Sequence, residues 1–354
     1  MYSMPSKKNP LKDDLEHVLH YTQSIWEELR DHSLFITGGT GFFGTWFLET
    51  FLAANEKFKL NSDVLVLTRN KQAFEKKASH LAHHPFVHFH TGDVRNFKFP
   101  NQKFSHVIHA ATEASAKLND ENPHLMEETI IEGTKHVLEF ISLCGVEKML
   151  FTSSGAVYGQ QPPELSHIDE EYLNREKIIQ SHSVYGDAKL QAEKLCQAFI
   201  LNHSCEIKIA RCFAFVGPYL PLNKHFAIGN FILDGLQERN IHIKGDGTPL
   251  RSYLYAADLM IWLWHILMRG QNGREYNVGS EEAINIAELA EKVAHQFEPA
   301  SKVFIAKKTI SGMLPPRYVP STKRAQQELG LKQRIDLSLA IQKTKQWYQD
   351  RIQE

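Results

Sequence analysis

LFITGGTGFFG, residues Leu34 to Gly44, is the stretch on which the fold turns. A short apolar run ends in glycines at Gly38, Gly39, Gly41 and Gly44, and an apolar segment of helical length follows. Strand, tight glycine turn and helix together offer backbone N–H groups to a pyrophosphate at a helix N-terminus. Gly38, Gly41, Phe42, Phe43 and Gly44 are therefore candidate cofactor contacts. The spacing is TGxxGxxG rather than GxGxxG, so the flanking chain has to supply the supporting pattern.

On both sides of the loop, strand and helix alternate. Apolar β-type runs fall at 33–37, 63–68, 86–90, 106–110, 147–152 and 206–212, with helical patterns at 43–54, 123–143 and 185–202. That alternation predicts an α/β fold, a Rossmann-type doubly wound parallel sheet over residues 33–212. Beyond 213 the pattern loosens, with proline and glycine at 217–221, 245–249 and 312–320 and helices expected at 226–237, 256–268, 286–297 and 336–350. Residues 213–354 are expected to form mainly a smaller C-terminal substrate-binding lobe, some segments returning to the Rossmann domain. Residues 1–32 read as a tail and an amphipathic helix, started by Asn9 as cap with Pro10 in its first turn. Its apolar stripe (Leu11, Leu15, Val18, Leu19, Ile25, Trp26, Leu29) is expected to pack on the dinucleotide domain or on a second subunit.

The chain has 354 residues, 42% of them hydrophobic and 23% charged, with a formal net charge of −1. No global field draws it to nucleic acid, and any anionic ligand must be held by local groups. No apolar run approaches the ~20 residues of a membrane span, and no secretion signal is apparent, so a cytoplasmic location is expected. Cys144, Cys196, Cys205 and Cys212 form no CxxC pair and read as buried thiols. The histidines at 80, 83, 84, 88 and 90 fit no standard zinc spacing, and no metal is expected.

Strand two ends in Arg69, with no acidic residue from Val64 to Asn70. An acidic side chain there would bind the adenosine ribose, whereas arginine accommodates a 2′-phosphate, so NADP is expected ahead of NAD. Asp93, past strand three, is placed to accept from the adenine amine, with Val94 packing on the ring. Small Ala110 and Ala111, followed by Thr112, let a flat cofactor approach strand four.

Strand five reads MLFTSSGAVYG, and SVYGDAKLQAEKL follows with Tyr185-x-x-x-Lys189. Positions i and i+4 share a helix face, setting the ammonium beside the phenol. A phenol titrates near about 10, and a neighbouring cation favours its ionised form. Tyr185 can then take a hydroxyl proton as hydride leaves the same carbon, with Ser154 holding the reacting oxygen.

In this order the motifs resemble the extended short-chain dehydrogenase/reductases, specifically their nucleotide-sugar epimerase/dehydratase family. The resemblance covers roughly residues 33–335 and includes TGGTGFFG, HAAT, SSGAVYG, YGDAK, RCFAFVGP, GDGTPLRSYLYAADL, YNVGS and PPRYVPSTKRAQQELGL. It implies a nucleotide-diphosphate sugar as substrate, Arg251 and Arg317 as a clamp on its diphosphate, and Asn230 near the nucleotide or diphosphate. Dehydratases and decarboxylating members carry a glutamate just before the VYG of strand five, often after Asp or Ser; here those positions are Gly155 and Ala156. Glu113, after HAAT, is a possible substitute acid or else a solvated loop carboxylate. The small residues resemble a 4-epimerase, working through a 4-keto intermediate. An NADPH-dependent reductase of 4-keto-6-deoxy sugars and a 4,6-dehydratase are the alternatives, and an NADP-binding sensor or scaffold is the non-enzymatic one. The family also implies a homodimer, through helices 123–143 and 185–202.

Overall fold

A computed structural model describes residues 9–112, 121–173, 183–224, 226–310 and 312–352. Seven strands form the central sheet: β1 Ser33–Thr37, β2 Asp63–Thr68, β3 Val87–Thr91, β4 His106–His109, β5 Lys148–Ser154, β6 Glu206–Cys212 and β7 Glu275–Val278. All neighbours are parallel, in the order β3-β2-β1-β4-β5-β6-β7. The order reverses direction between β1 and β4, and at such a switch point the strand ends leave a crevice for ligands.

The main helices are α1 Lys12–Tyr21, α2 Phe42–Phe58, α3 Pro123–Cys144, α4 Val184–Phe199, α5 Ala227–Leu236, α6 Ala256–Arg269, α7 Ile286–Ala294 and α8 Leu337–Ile352. Strand side chains alternate between two cores, as a pleated sheet covered on both faces requires. Phe35, Leu65, Leu67, Val107, Met149 and Phe151 join residues of α3 and α4. Leu34, Ile36, Val64, Val66, Ile108 and Leu150 join residues of α1, α2 and α6.

Three departures from the sequence reading have local causes. β7 is four residues long and contains the buried Asn277, so no apolar run announces it. The N-terminal helix starts at Lys12, not at Pro10: Asn9 Oδ1 accepts from Leu11 N–H in the preceding turn. It then tightens into a 3-10 helix over Gln23–Leu29, where the Thr22 hydroxyl donates to Val18 O and accepts from Trp26 Nε1, a threonine back-bond that competes with the helical ladder. The stripe of α1 is covered within this chain, Leu11, Leu15, Val18 and Leu19 all being buried. Asp14 on that helix accepts from Tyr255 Oη at 2.7 Å and Lys343 Nζ at 2.8 Å, so α1 is fastened to α6 and α8 rather than left for a second subunit.

Small sheets sit beyond the strand ends. Leu250–Arg251 lies between Ile284–Asn285 and Arg317–Tyr318, and Val303–Ile305 pairs with Ile241–Ile243. All four cysteines are buried and free. Among the described residues no helix is long and apolar enough to cross a membrane.

Candidate active site

The glycine turn is shaped by what crowds it. Gly38 has φ +71°, and a Cβ there would come within 2.4 Å of Ala110 O. Only glycine permits both the left-handed backbone and that approach. Gly44 lets α2 settle onto the turn, since a Cβ would meet Gly39 Cα at 2.3 Å. The N-cap of α2 is Gly41, which has no side chain to cap the helix, so its first N–H groups, at Phe42, Phe43 and Gly44, face outward for an anion. The facing floor is fixed by a directed chain of bonds. Ala111 N–H donates to Thr37 Oγ1 (3.1 Å), which bonds His109 Nδ1 (2.7 Å); His109 Nε2 bonds Thr134 Oγ1 (3.1 Å), which donates to Ile130 O (2.7 Å). Because both threonine directions are set, the imidazole carries its proton on Nε2. Burial, then the charge of Lys189, lowers the His109 pKa to about 3, so the ring stays neutral.

Arg69 is exposed just past β2 and has no ion-pair partner among the described residues. Asp93 is already engaged: Arg95 reaches its two oxygens with Nε (2.9 Å) and Nη2 (3.1 Å) and holds its pKa below the usual carboxylate value. Oδ1 also accepts from the Arg95 backbone N–H at 3.0 Å, so the one lone pair left over is on Oδ2. The Val94 side chain is 7% exposed and lies where a Cβ on Gly133 would touch it at 2.9 Å. It serves the α3 packing, leaving chiefly its backbone to face a ligand.

Ser154 closes β5, and its Oγ accepts from Ala156 N–H at 3.1 Å. Tyr185 and Lys189 lie on α4, whose start is capped by Ser183 Oγ accepting from Gly186 N–H at 3.0 Å. Lys189 is 2% exposed and donates to Thr152 O (2.8 Å) and Thr112 Oγ1 (2.9 Å), with a third proton left for a ligand. Burial brings its pKa down to about 8, so it remains charged at neutral pH. Burial pushes Tyr185 up to about 12, opposed by the Ser154 hydroxyl. Ser154, Tyr185, Lys189 and Thr112 thus share one corner of the crevice, next to Ala110 and Ala111.

Two aromatic residues escaped the sequence reading. The Tyr318 phenol also faces Ser154 and feels Tyr185, while its ring lies 4.7 Å from Phe213. Burial raises its pKa, so it is a neutral phenol. Phe213 in turn covers Gly155: a Cβ there would strike its ring at 2.7 Å. The aromatic partner of Arg317 in PPRYVPS was the available signal for Tyr318; nothing local marked Phe213.

The two arginines expected to clamp a diphosphate come together on the small sheets. Tyr318 is the register partner of Arg251, which brings Arg251 and Arg317 onto adjacent strands. Arg251 donates to Leu250 O (2.8 Å) and Arg317 to Pro163 O (2.9 Å), and neither has a carboxylate partner among the described residues. Asn230, on α5, lines a cavity of about 1010 Å³ together with His242, Lys244, Gly245 and Pro249. Glu113 lies outside the described residues. The histidine segment disperses, with His80 on Glu49 at 2.8 Å and His88 4.0 Å from Asp63.

Comparison with known proteins gives the family and the fold. UDP-glucuronic acid decarboxylase 6 of Arabidopsis thaliana is 27% identical over 304 residues, 86% of this chain and 85% of that one. The fold matches UDP-glucose 4-epimerase from Thermotoga maritima, solved with UDP-glucose, with TM-score 0.75 at 19% identity over 90% of this chain and 99% of that one. It matches dTDP-glucose 4,6-dehydratase from Streptomyces venezuelae, solved with NAD and TYD, with TM-score 0.75 at 21% identity over 90% and 97%. The model of the NAD dependent epimerase/dehydratase family matches residues 34–279, from the first strand of the central sheet through the last. By that match the chain belongs to the NAD-dependent epimerase/dehydratase family and is one of its enzymes.

Proposed function

We propose that this enzyme is a nucleotide-sugar 4-epimerase. The observation that carries the reading is half-buried Ala156 directly before VYG, with the ring of Phe213 packed on the preceding Gly155. The glutamate that dehydratases and decarboxylases of the family place directly before VYG would stand at 156, where this chain has Ala156, and the Phe213 ring crowds the Asp or Ser position before it, Gly155. The groups acting on Tyr185 are Ser154 and Cys212, with no carboxylate among the described residues. Epimerisation at carbon 4 needs only reversible oxidation, which a phenol, a serine hydroxyl and a lysine support.

In this mechanism Ser154 and Tyr185 hold the C4 hydroxyl, and Tyr185 takes its proton as hydride leaves C4. Bound dinucleotide supplies the hydride acceptor and, on return, the donor. Lys189 keeps the phenol's surroundings positive, and Tyr318 donates a second hydrogen bond toward Ser154. The 4-keto sugar turns over in the crevice while Arg251 and Arg317 hold the diphosphate and the cavity beside Asn230 takes the nucleotide. Tyr185 then returns the proton. Residues 213–354 act mainly as the substrate lobe, and a homodimer forms through the outer faces of α3 and α4, with Leu143 exposed on α3 and Leu201 exposed just past the end of α4.

Incubating the enzyme with a panel of nucleotide sugars, without added NADPH, and following products by NMR should show redox-neutral interconversion at C4. A keto-deoxy product from a plain sugar would overturn the reading in favour of a dehydratase. One feature favours a reductase as the second reading, namely Arg69, which suits the 2′-phosphate of NADP. Competitive titration should show tighter binding of NADP than NAD, and Arg69→Ala should remove that margin. Tighter NAD binding by the unmodified enzyme would sink the preference.

A further inference from the structure

The glycine-rich loop is gripped from behind by a cation that no sequence motif marks. Lys77 ends the short helix Lys71–Lys77, in a lysine pair that reads as an exposed helical turn. Its Nζ instead donates to Thr40 O (3.0 Å) and Thr45 Oγ1 (3.0 Å), with Gly41 O at 3.4 Å. The Thr45 hydroxyl donates to Gly41 O at 2.6 Å, so its oxygen is free to accept from the lysine. All these acceptors are neutral. Among the described residues Lys77 has no carboxylate partner, and its charged neighbour is another cation: Arg351, from the last turn of α8, donates to Lys77 O at 3.4 Å and stacks over Tyr219 and Trp347. Lys77 itself lies 5.6 Å above the Tyr219 ring. Burial first and Arg351 second lower its pKa to about 8.

A partly buried ammonium beside a second cation is costly unless an anion compensates it. The geometry says where that anion lies. In a trans peptide C=O and N–H point in opposite directions. The Gly41 carbonyl, which accepts from Thr45 N–H at 3.0 Å and Thr45 Oγ1 at 2.6 Å and has Lys77 Nζ at 3.4 Å, therefore leaves the Phe42 N–H turned the other way, to the face on which α2 presents its positive end.

We propose that Lys77 is a cofactor-positioning residue, its ammonium fastened to the outer carbonyls of the glycine loop as countercharge for the phosphates of the dinucleotide. Those phosphates are the pyrophosphate, common to NAD and NADP, or the adenosine 2′-phosphate of NADP alone.

Calorimetric titration of the cofactor-stripped full chain with NAD, NADP and adenosine tests this. Lys77→Gln keeps a donor for Thr40 O but removes the charge, Lys77→Met removes both, and Lys77→Arg restores the charge. Lys77→Gln should weaken NAD and NADP about tenfold, the scale of one charge-assisted contact. Adenosine should be unaffected, and Lys77→Arg should stay within about threefold of the unmodified enzyme. A loss confined to NADP supports the proposal and assigns the charge to the 2′-phosphate. Unchanged affinity in Lys77→Gln overturns it, and so does an equal loss for adenosine, which would make Lys77 a prop of the loop and nothing more. No sugar enters the experiment, so its outcome is separate from the epimerase reading.

Discussion

Tyr185→Phe is expected to lower turnover by at least about 10³, within the range that a single acid–base group contributes, while leaving dinucleotide affinity nearly intact. The substitution keeps the ring that packs beside α3 and removes only the proton-carrying oxygen. The pH dependence follows from the surroundings. Burial raises the Tyr185 pKa to about 12, so at neutral pH the base form is scarce. Rate in the oxidising direction should therefore climb with pH, toward tenfold per unit below the operative pKa. It should flatten as Lys189 loses its proton, because that charge, with a pKa of about 8, favours the phenolate. Lys189→Met should remove the flattening and lower the rate throughout. Single-turnover reduction of bound dinucleotide by substrate measures both variants. A Tyr185→Phe enzyme that keeps a tenth of the activity would remove the phenol from the chemistry.

The parts of this site that were legible in the sequence are the ones whose function demands a residue type at a fixed spacing. Gly38 must be glycine because its φ is positive and Ala110 O is 2.4 Å from where a Cβ would stand; Tyr185 and Lys189 must be one helical turn apart. What escaped depends on contacts across large sequence separations. Phe213 meets Gly155 from the end of β6, and Tyr318 arrives beside Ser154 from near the end of the chain. Lys77 looks solvated until the chain folds Thr40 onto it. The carboxylate of Asp14, in the first turn of α1, is consumed by Tyr255 and Lys343, from 241 and 329 residues away. Periodicity also reports burial without naming the partner. The stripe of α1 was visible, whereas its cover, α6, was a choice the pattern left open.

The largest stability effect is expected where the catalytic strand is braced. Arg211 on β6 clasps Glu193 on α4, Nη2 to Oε2 at 2.7 Å and Nε to both oxygens at 3.1 and 3.2 Å, with both side chains buried. Glu193 also accepts from Ser153 Oγ at 2.5 Å, one residue before Ser154, and stands one turn beyond Lys189. The other side of Arg211 donates to Tyr158 Oη (3.0 Å), which donates to Asn277 Oδ1 (2.7 Å), and Asn277 Nδ2 holds Ile168 O and Ser321 O. One buried network thus joins β5, α4, β6, β7 and the segments at Ile168 and Ser321. Removing one ion leaves the other desolvated and unpaired, a loss of about 3–5 kcal/mol. Arg211→Met should accordingly unfold at markedly lower urea concentration. Replacing both ions, Glu193→Leu with Arg211→Met, should cost less than the two single changes summed, because no orphan charge remains. The double variant separates stability from catalysis. With Glu193 gone, Ser153 loses its partner and Ser154 its register, so turnover should fall even where the fold survives, while dinucleotide affinity, set at β1 and α2, should not. Urea melts of the single variants showing less than about 1 kcal/mol of loss would mean that the pair is dispensable. Full turnover in the double variant would mean that Ser154 is held by Ala156 N–H and its tyrosine neighbours without help from the Ser153–Glu193 bond.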